Sequence, residues 1–404
     1  PGGDGPDGRP SEPATHLSGI MRVIGLMSGT SADGVDAVLA QFSGRAATPR
    51  WTLLRSVSCP YPPDLRRRML AIAQGEAAPA GVLLDLAEAI TEQQAKAAEC
   101  CDPDRSASLV GCHGQTIWHR PPEWDATGRT RRGSSWQMLQ GPLLAQMLQR
   151  AVVHDFRAAD LALGGQGAPL VPMADAALMG RIQGWRALLN LGGIANITLI
   201  PPSAGPDRQR QVLGWDCGPA NSLIDLAMEA FTDGRQHCDR DGGMAALGQV
   251  MDEPLTNWLR EPYFLRRGPK STGRELFGRA DLERRLKELQ PGRLEDQMAT
   301  LTAFTAAVVA QDLQHLSSLD LPLPVEMVVA GGGRRNTTLM RELQSRCLGL
   351  RVRPSDDLNL PCESREALVF ALLAWWHHRN HPGNAPSITG AERSCVLGTR
   401  ADPA

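Results

Sequence analysis

The chain has 404 residues, with 42 Lys and Arg against 44 Asp and Glu and a formal net charge of −2. That length allows two domains with ample buried core, and the charge balance leaves no electrostatic footprint for nucleic acid or an anionic membrane surface. No apolar run approaches the ~20 residues that span a bilayer, and the nine cysteines are scattered without a CxxC spacing. Zinc-ribbon and disulfide-framework classes are thereby excluded, and the cysteines read as reduced thiols of a cytoplasmic protein.

Residues 1–20 (PGGDGPDGRPSEPATHLSGI) are rich in Pro, Gly and charge and are expected to form a disordered leader without the apolar stretch of a signal peptide. Met21 is the expected true start, and the sequons at Asn196 and Asn336 carry no weight without a secretory signal. Met21–Met27 and Val35–Phe42 read as β-strands around the glycine-flanked loop Ser28–Gly34 (SGTSADG), a hairpin with an over-long turn. Trp51–Val57 is expected as a third strand, then helices over Pro63–Gln74 and about Gly81–Glu99, where apolar residues recur at three and four. Ser108–Cys112 reads as a short buried strand ending in HGQT, Pro142–Gln149 as a helix and Ala151–Asp155 as a strand. A second hairpin of the same kind follows, with strands Arg186–Leu191 and Ile194–Ile200 around Gly192-Gly193. Beyond it, helices are expected at Pro219–Phe231, Gln297–Leu319, Asn336–Cys347 and Arg365–His377, and a strand at Glu326–Ala330 empties into Gly331–Gly333. Pro201–Arg210 reads as a polar surface loop, not a domain boundary. Two strand–glycine turn–strand units, each followed by mixed sequence, predict an α/β chain of two similar mixed-sheet domains facing a nucleotide cleft.

The sharpest chemistry lies in Gly29, Thr30, Ser31, Ala32, Asp33, Gly34, Val35 and Asp36. A tip of small and hydroxyl residues turns successive backbone N–H groups toward a phosphate, with Gly29 and Gly34 allowing close approach. Thr30 and Ser31 add hydroxyl donors, and Asp33 and Asp36 are of the kind that holds magnesium through water. An ordinary surface hairpin is the alternative, because Gly and Ser populate any turn. Gly192 and Gly193 offer a second backbone cradle, and two such turns suit a triphosphate held from both sides. Gly331, Gly332 and Gly333, between a strand and a helix, leave room for a flat ring or a phosphate, or form a plain connector; their spacing is not the dinucleotide fingerprint. In RRGPKSTGRELFG (Arg266–Gly278), Pro269 stands before Lys270 where a Walker A loop needs glycine. The run reads as a basic loop, either solvated or closing over a ligand. Asp216 in GWDCGPAN is either a general base at a cleft edge or the N-cap of the following helix, and its local sequence favours the cap. His113 and His119 flank Gln115 and Trp118 at a spacing poor for a metal pair. Hydrogen bonding to a polar ligand, with Trp118 offering an apolar face, is one reading; core packing of Trp118 is the other.

Taken in order, GLMSGTSADGVD, GCHGQTIWH, HDFRAADLALGGQGAPLVP, LNLGGIANIT, GWDCGPAN, PYFLRRGPKSTGRELF, VVAGGGRRN and PGNAPSITGA resemble one family from about Val23 onward, the anhydro-N-acetylmuramic acid kinases of the sugar-kinase, actin and heat-shock ATPase superfold. The resemblance implies ATP-dependent phosphorylation of O6 of 1,6-anhydro-N-acetylmuramic acid while water opens the anhydro bridge. It implies Asp216 as general base, Gly29 through Asp36 as the ATP-binding loop, and nucleotide contacts from Gly192, Gly193 and Gly331–Gly333. His113, Gln115, Asp155, Arg157 and Gln166 are implied near the sugar, and Mg²⁺ near Asp33 and Asp36 through water. A cytoplasmic homodimer is implied as well. The expected division is 21–150 with about 380–404 as one domain and 151–379 as the other. Two departures stand out: Ala220 where relatives have glycine after Gly218-Pro219, and WQMLQ (Trp136–Gln140), where Leu139 and Gln140 replace a glycine and an acid. A kinase for another anhydrosugar such as levoglucosan, an ATP-driven conformational switch and a degenerate sugar-binding non-enzyme are the rival readings.

Overall fold

The structure, a computed structural model, describes residues 19–404 except 30, 126, 127, 269, 271, 273–275, 359 and 361–363. Residues 1–18 of the leader expected to be disordered lie outside the described residues. The chain runs β1 (Met21–Ser28), β2 (Gly34–Arg45), β3 (Thr48–Pro60), α1 (Pro63–Ala73), α2 (Ala80–Cys101), β4 (Leu109–Arg120), β5 (Glu123–Asp125), β6 (Gly128–Arg131), β7 (Ser134–Met138), α3 (Gly141–Leu148), β8 (Ala151–His154), α4 (Ala158–Ala162) and α5 (Val171–Met179). It continues with β9 (Arg186–Leu191), β10 (Ile194–Ile200), β11 (Leu213–Pro219), α6 (Asn221–Phe231), α7 (Asp252–Trp258), α8 (Pro262–Leu265), α9 (Arg279–Glu288) and α10 (Leu294–Gln314). Last come β12 (Glu326–Ala330), α11 (Thr337–Arg346), β13 (Arg351–Pro354), α12 (Arg365–His378), α13 (Pro386–Thr389) and β14 (Thr399–Ala401).

One topology occurs twice. The first sheet is ordered β14-β8-β4-β1-β2-β3 and the second β11-β10-β9-β12-β13. In each, an antiparallel meander (β1, β2, β3; β9, β10, β11) is extended by parallel strands on the side of its first member (β4, β8; β12, β13). The expected fold class, α/β with two similar mixed sheets, is the one observed. The sheets do not divide at residue 150, however. β8 pairs in parallel with β4, and α12 packs against β1, β2 and β4, so 151–154 and 365–378 go with the first sheet and not with the second.

Strand periodicity explains the layering. Ile24, Leu26, Val35, Ala37 and Leu39 cluster with Leu86, Ile90 and Ala98 of α2 on one face, while Val23, Val38, Ala40 and Phe42 cluster with Leu368–Trp376 of α12 on the other. α12 lies directly on the sheet backbone: a Cβ at Gly25 would stand 1.9 Å from the Ala367 carbonyl oxygen. α10 is the corresponding buried rod of the second half, with Leu301, Phe304, Val308 and Val309 packed among Leu189, Leu191, Ile197 and Leu223.

The carboxylate of Asp160, fully buried, ties the C-terminal PGNAPSITGA segment down. It accepts from Asn384 Nδ2 (2.8 Å), Thr389 Oγ1 (2.7 Å) and the Gly167 amide (2.8 Å). Asp160→Ala leaves those donors without their acceptor, and a loss of about 3 kcal/mol in unfolding free energy is expected from denaturant titration.

Candidate active site

The β1–β2 tip is a braced loop. Met27 pairs with Asp36, the Ala32 amide donates to Gly29 O at 3.1 Å, and Ala32 adopts left-handed φ of 51°. Gln115 supports it from β4, donating through Nε2 to Gly29 O (3.1 Å) and accepting through Oε1 from the Ser28 hydroxyl. Arg66 of α1 donates to Ser31 O (3.2 Å) and to Asp33 Oδ1 (2.9 Å). The two glycines differ. A Cβ on Gly29 would meet nothing closer than Ser31 Oγ at 3.8 Å, which leaves its backbone open to a ligand, whereas one on Gly34 would strike Cys59 O at 2.4 Å. Gly34 therefore serves the close approach of β3. Thr30 lies outside the described residues.

The first turn of α12 joins the two halves. Arg365, 5% exposed, is paired with Asp175 of α5 and donates to Asn190 Oδ1 of β9 at 3.3 Å. Its neighbour Glu366 is exposed, with protein crowding the remaining sides of its carboxyl. That crowding pushes its pKa above the usual carboxylate range; Arg365 and Arg157 oppose the rise, and Asp175 and Asp36 add to it. Glu366 was no candidate from sequence, because only the tertiary fold sets it beside Asp36 and Arg157. A pH test follows. A carboxyl whose folded pKa is raised stabilises the fold below its unfolded pKa, and that contribution is lost as pH rises through the folded pKa. Glu366→Gln is thus expected to melt above the parent protein at pH 8, with the gap closing on acidification through that raised pKa, as followed by thermal denaturation at stepped pH.

The implied sugar residues fall into two groups. Arg157 is oriented by Gly167 O (2.7 Å) and by His113 Nε2, at 3.2 Å from its Nε and 3.0 Å from its Nη2. His113, 2% exposed, also contacts Gly114 O through Nδ1 at 3.0 Å and the Phe370 ring at 4.6 Å. Burial, with the Arg157 charge, takes its pKa down to about 3, so the ring is neutral and Nε2 is the acceptor. The buried His113 and Gln115 thus stand behind Arg157 and the loop and prop them. Asp155, at left-handed φ of 54°, is half-buried like Arg157, and Gln166 is exposed, its amide donating to Thr389 O at 2.8 Å. Trp118 is not core: it is 53% exposed and pairs across strands with Trp136, 45% exposed, beyond a bulge at Thr116.

In the second half three distant strings converge. The Gly192 and Gly193 carbonyls accept from the amides of Asn221 (3.0 Å) and of Ala220 and Ser222 (2.9 and 3.0 Å), so the hairpin turn sits on the N-terminus of α6. Asn221 Nδ2 donates to Leu191 O at 3.0 Å. Gly331, at φ of 84°, lies so close that a Cβ would stand 2.5 Å from the Leu191 carbonyl, and one on Gly333 would stand 2.7 Å from Leu191 Cβ. Gly332 stays open, with Asn221 Nδ2 at 3.8 Å.

Asp216 caps no helix. α6 begins after Ala220 with no side-chain cap, and Asp216 Oδ2 accepts instead from the Thr272 amide at 3.0 Å. Its backbone is fixed as well: its N–H donates to Lys270 O (2.9 Å) and its carbonyl accepts from Tyr263 OH (2.8 Å). At the first sequence departure, Ala220 has φ of −119°, so the positive φ that would favour glycine is not used there. Leu139 packs against the core of the first half, and the Gln140 amide donates to Thr91 Oγ1 at 3.0 Å.

Among the described residues no group of three or more His, Cys, Asp or Glu could hold a metal ion, and none of the helices is long and apolar enough to cross a membrane. Asp33 forms an exposed ion pair with Arg66, and Asp36 interacts electrostatically with Glu366.

Twin mixed sheets, each with a glycine-bearing hairpin, a buried-carboxylate junction between them and Asp216 on an edge strand match the arrangement expected of a sugar-kinase type of enzyme. A family model described as anhydro-N-acetylmuramic acid kinase matches residues 21–402. A Synechococcus sp. (strain CC9311) protein named anhydro-N-acetylmuramic acid kinase is 66% identical over 384 residues, covering 95% of this chain and all (100%) of that one. One of the same name from Synechococcus sp. (strain WH7803) is 66% identical over 387 residues, with 95% and 100% covered. Among solved structures, xylulose kinase from Rhodospirillum rubrum aligns with 95% of this chain and 94% of its own at 11% identity and a TM-score of 0.42. The chain belongs to the anhydro-N-acetylmuramic acid kinase family, and membership of a kinase family implies use of ATP.

Proposed function

We propose that this chain transfers the γ-phosphoryl group of ATP to O6 of 1,6-anhydro-N-acetylmuramic acid as water opens the 1,6-anhydro bridge, giving N-acetylmuramic acid 6-phosphate and ADP. The observation that carries the reading is the Asp216 carboxylate, held by the Thr272 amide and engaged in no helix cap. Asp216 takes a proton from the attacking water as the water oxygen bonds to C1. The C1–O6 bond breaks, and the electron pair left on O6 attacks the γ-phosphorus, with ADP departing. This is the base half of an inverting glycosidase, with a phosphoryl group in place of the acid that traps the leaving oxygen.

Backbone amides of the Gly29–Asp36 loop, with Ser31, hold the phosphates from one side, and Gly192, Gly193 and Gly331–Gly333 hold the nucleotide from the other. Asp36, with Glu366, would hold Mg²⁺, and the ion would supply charge neutralisation at the transferring phosphoryl group. Arg157 binds the sugar with Asp155 and Gln166 beside it, and His113 fixes the guanidinium. Arg157→Met is accordingly expected to raise KM for the sugar by roughly 10- to 100-fold through loss of a charged hydrogen bond, with KM for ATP unchanged, in steady-state kinetics with each substrate varied.

The test is ADP release by purified protein offered 1,6-anhydro-N-acetylmuramic acid, levoglucosan or N-acetylglucosamine. Release confined to the muramic sugar is expected. Preference for levoglucosan moves the substrate to another anhydrosugar, and release without any sugar sinks the kinase reading. The reaction consumes ATP and so belongs in the cytoplasm. The homodimer is checked by sedimentation.

A further inference from the structure

Behind β11 lies a buried ion pair that the reaction does not use. Lys270 Nζ meets Asp312 Oδ1 at 2.8 Å, with both side chains 3% exposed. Replacing such a pair by apolar side chains is often neutral or stabilising, so stability alone gives little reason for it. Its connections give a better one. Along β11, Trp215 and Cys217 face the core, and Asp216 between them faces the other way. Asp312, from the buried helix α10, accepts from Trp215 Nε1 through Oδ2 at 3.0 Å. One carboxylate thus grips both the strand that carries Asp216 and the side chain of Lys270.

Lys270 belongs to the segment that reaches the other face. Its carbonyl accepts from the Asp216 amide at 2.9 Å, and two residues on, the Thr272 amide donates to Asp216 Oδ2 at 3.0 Å. Upstream, Gly268 lies against the Trp215 ring, where a Cβ would stand 2.4 Å from Cδ2. Lys270 Nζ also stands 5.0 Å from the Tyr263 ring centroid, and Tyr263 OH holds the Asp216 carbonyl at 2.8 Å. A slip of this segment along the edge of β11 would take Thr272 away from the carboxylate, and the backbone bond at Lys270 O alone does not forbid it.

We infer that Lys270 is a positioning residue. Its ammonium, locked to Asp312, sets the register of Lys270 and Thr272 on β11 and thereby the orientation of the Asp216 carboxylate. Lys270 itself reaches no substrate, being buried on the core side of the strand. The inference rests on Asp216 as general base, the reading proposed above.

The test compares Lys270→Met, Asp312→Asn and the double variant K270M/D312N in kinetics, thermal unfolding and amide hydrogen exchange. Lys270→Met should lower kcat by about 100-fold, the scale of an ångström's misplacement of a catalytic group, with KM for ATP unchanged. In K270M/D312N the asparagine still accepts from Trp215 and no unpaired charge is buried, so Tm should return toward the parent value while kcat stays low. Recovery of kcat together with Tm in the double variant, or parental kcat in Lys270→Met, would overturn the assignment. Should the parent protein release no ADP with the anhydrosugar, the functional reading falls first, and the register is then judged by exchange alone. Faster exchange of the Asp216 and Thr272 amides in K270M/D312N supports the latch, and unchanged exchange rules it out.

Discussion

Asp216→Asn is expected to lower kcat for anhydrosugar-dependent ADP release by about a thousand-fold, within the range general-base catalysis supplies. The substitution is close to isosteric, and the asparagine carbonyl can still accept from the Thr272 amide, which reaches Oδ2 at 3.0 Å in the parent. The backbone bonds to Lys270 and Tyr263 do not depend on the side chain. Tm and KM for ATP should therefore hold, and the loss should fall on kcat. Steady-state kinetics beside a melting curve checks this. Activity kept within a few-fold would remove Asp216 from the reaction.

Gly25→Ala should have the largest effect on stability, at about 3 kcal/mol or more. The new methyl would stand 1.9 Å from the Ala367 carbonyl oxygen and 2.8 Å from the Ala371 amide nitrogen. Both neighbours are backbone, so no side-chain rotation relieves the contact; the whole of α12 has to move. Because α12 carries Arg365 and Glu366 in its first turn, the shift should also weaken ATP use. Gly75→Ala serves as the control, since its Cβ would meet nothing within 4 Å, although its φ of 97° adds local strain. Denaturant unfolding of the two variants separates contact from backbone conformation. Comparable losses in both would contradict the close-packing account.

Much of the fold was legible in the sequence because strands and helices announce themselves locally. The hairpins at Ser28–Gly34 and Gly192-Gly193, the helix from Arg365 and the strand before Gly331 all stand where apolar periodicity and glycine placed them. Pairing was less legible. β8 looks like any short apolar strand, and nothing in AVVH tells that its partner is β4 and not a strand of the second sheet. HGQT did not end a strand but carried β4 on to Arg120, because β7 offers it a partner, and β7 itself is short, with only Trp136 and Met138 in alternation to mark it as a strand.

The site was legible where a motif is contiguous and illegible where it is assembled. Backbone glycines cluster in sequence, so the loop at Gly29 and the run at Gly331 could be singled out. Whether Asp216 capped a helix or faced a cleft depended on where α6 begins, a matter of one turn. Lys270 was set aside as part of a basic loop because charge in a loop defaults to solvent, yet it is paired with Asp312, 42 residues on, which is itself bound by Trp215, 97 residues before Asp312. Glu366 owes its raised pKa first to burial, modulated by Arg365 on its own helix and by Asp175, Arg157 and Asp36 from three other parts of the fold. Trp118, a core residue by default, is exposed because the bulge at Thr116 turns the strand's face.

The central claim is that phosphoryl transfer and ring opening are one event. It is tested most directly by mass spectrometry of the sugar product formed from ATP and 1,6-anhydro-N-acetylmuramic acid. The account predicts a product equal to the substrate plus the elements of HPO₃ and H₂O, with one ADP for each sugar consumed. A product that has gained HPO₃ alone, its anhydro bridge intact, or ADP formed with the sugar unchanged, would contradict it.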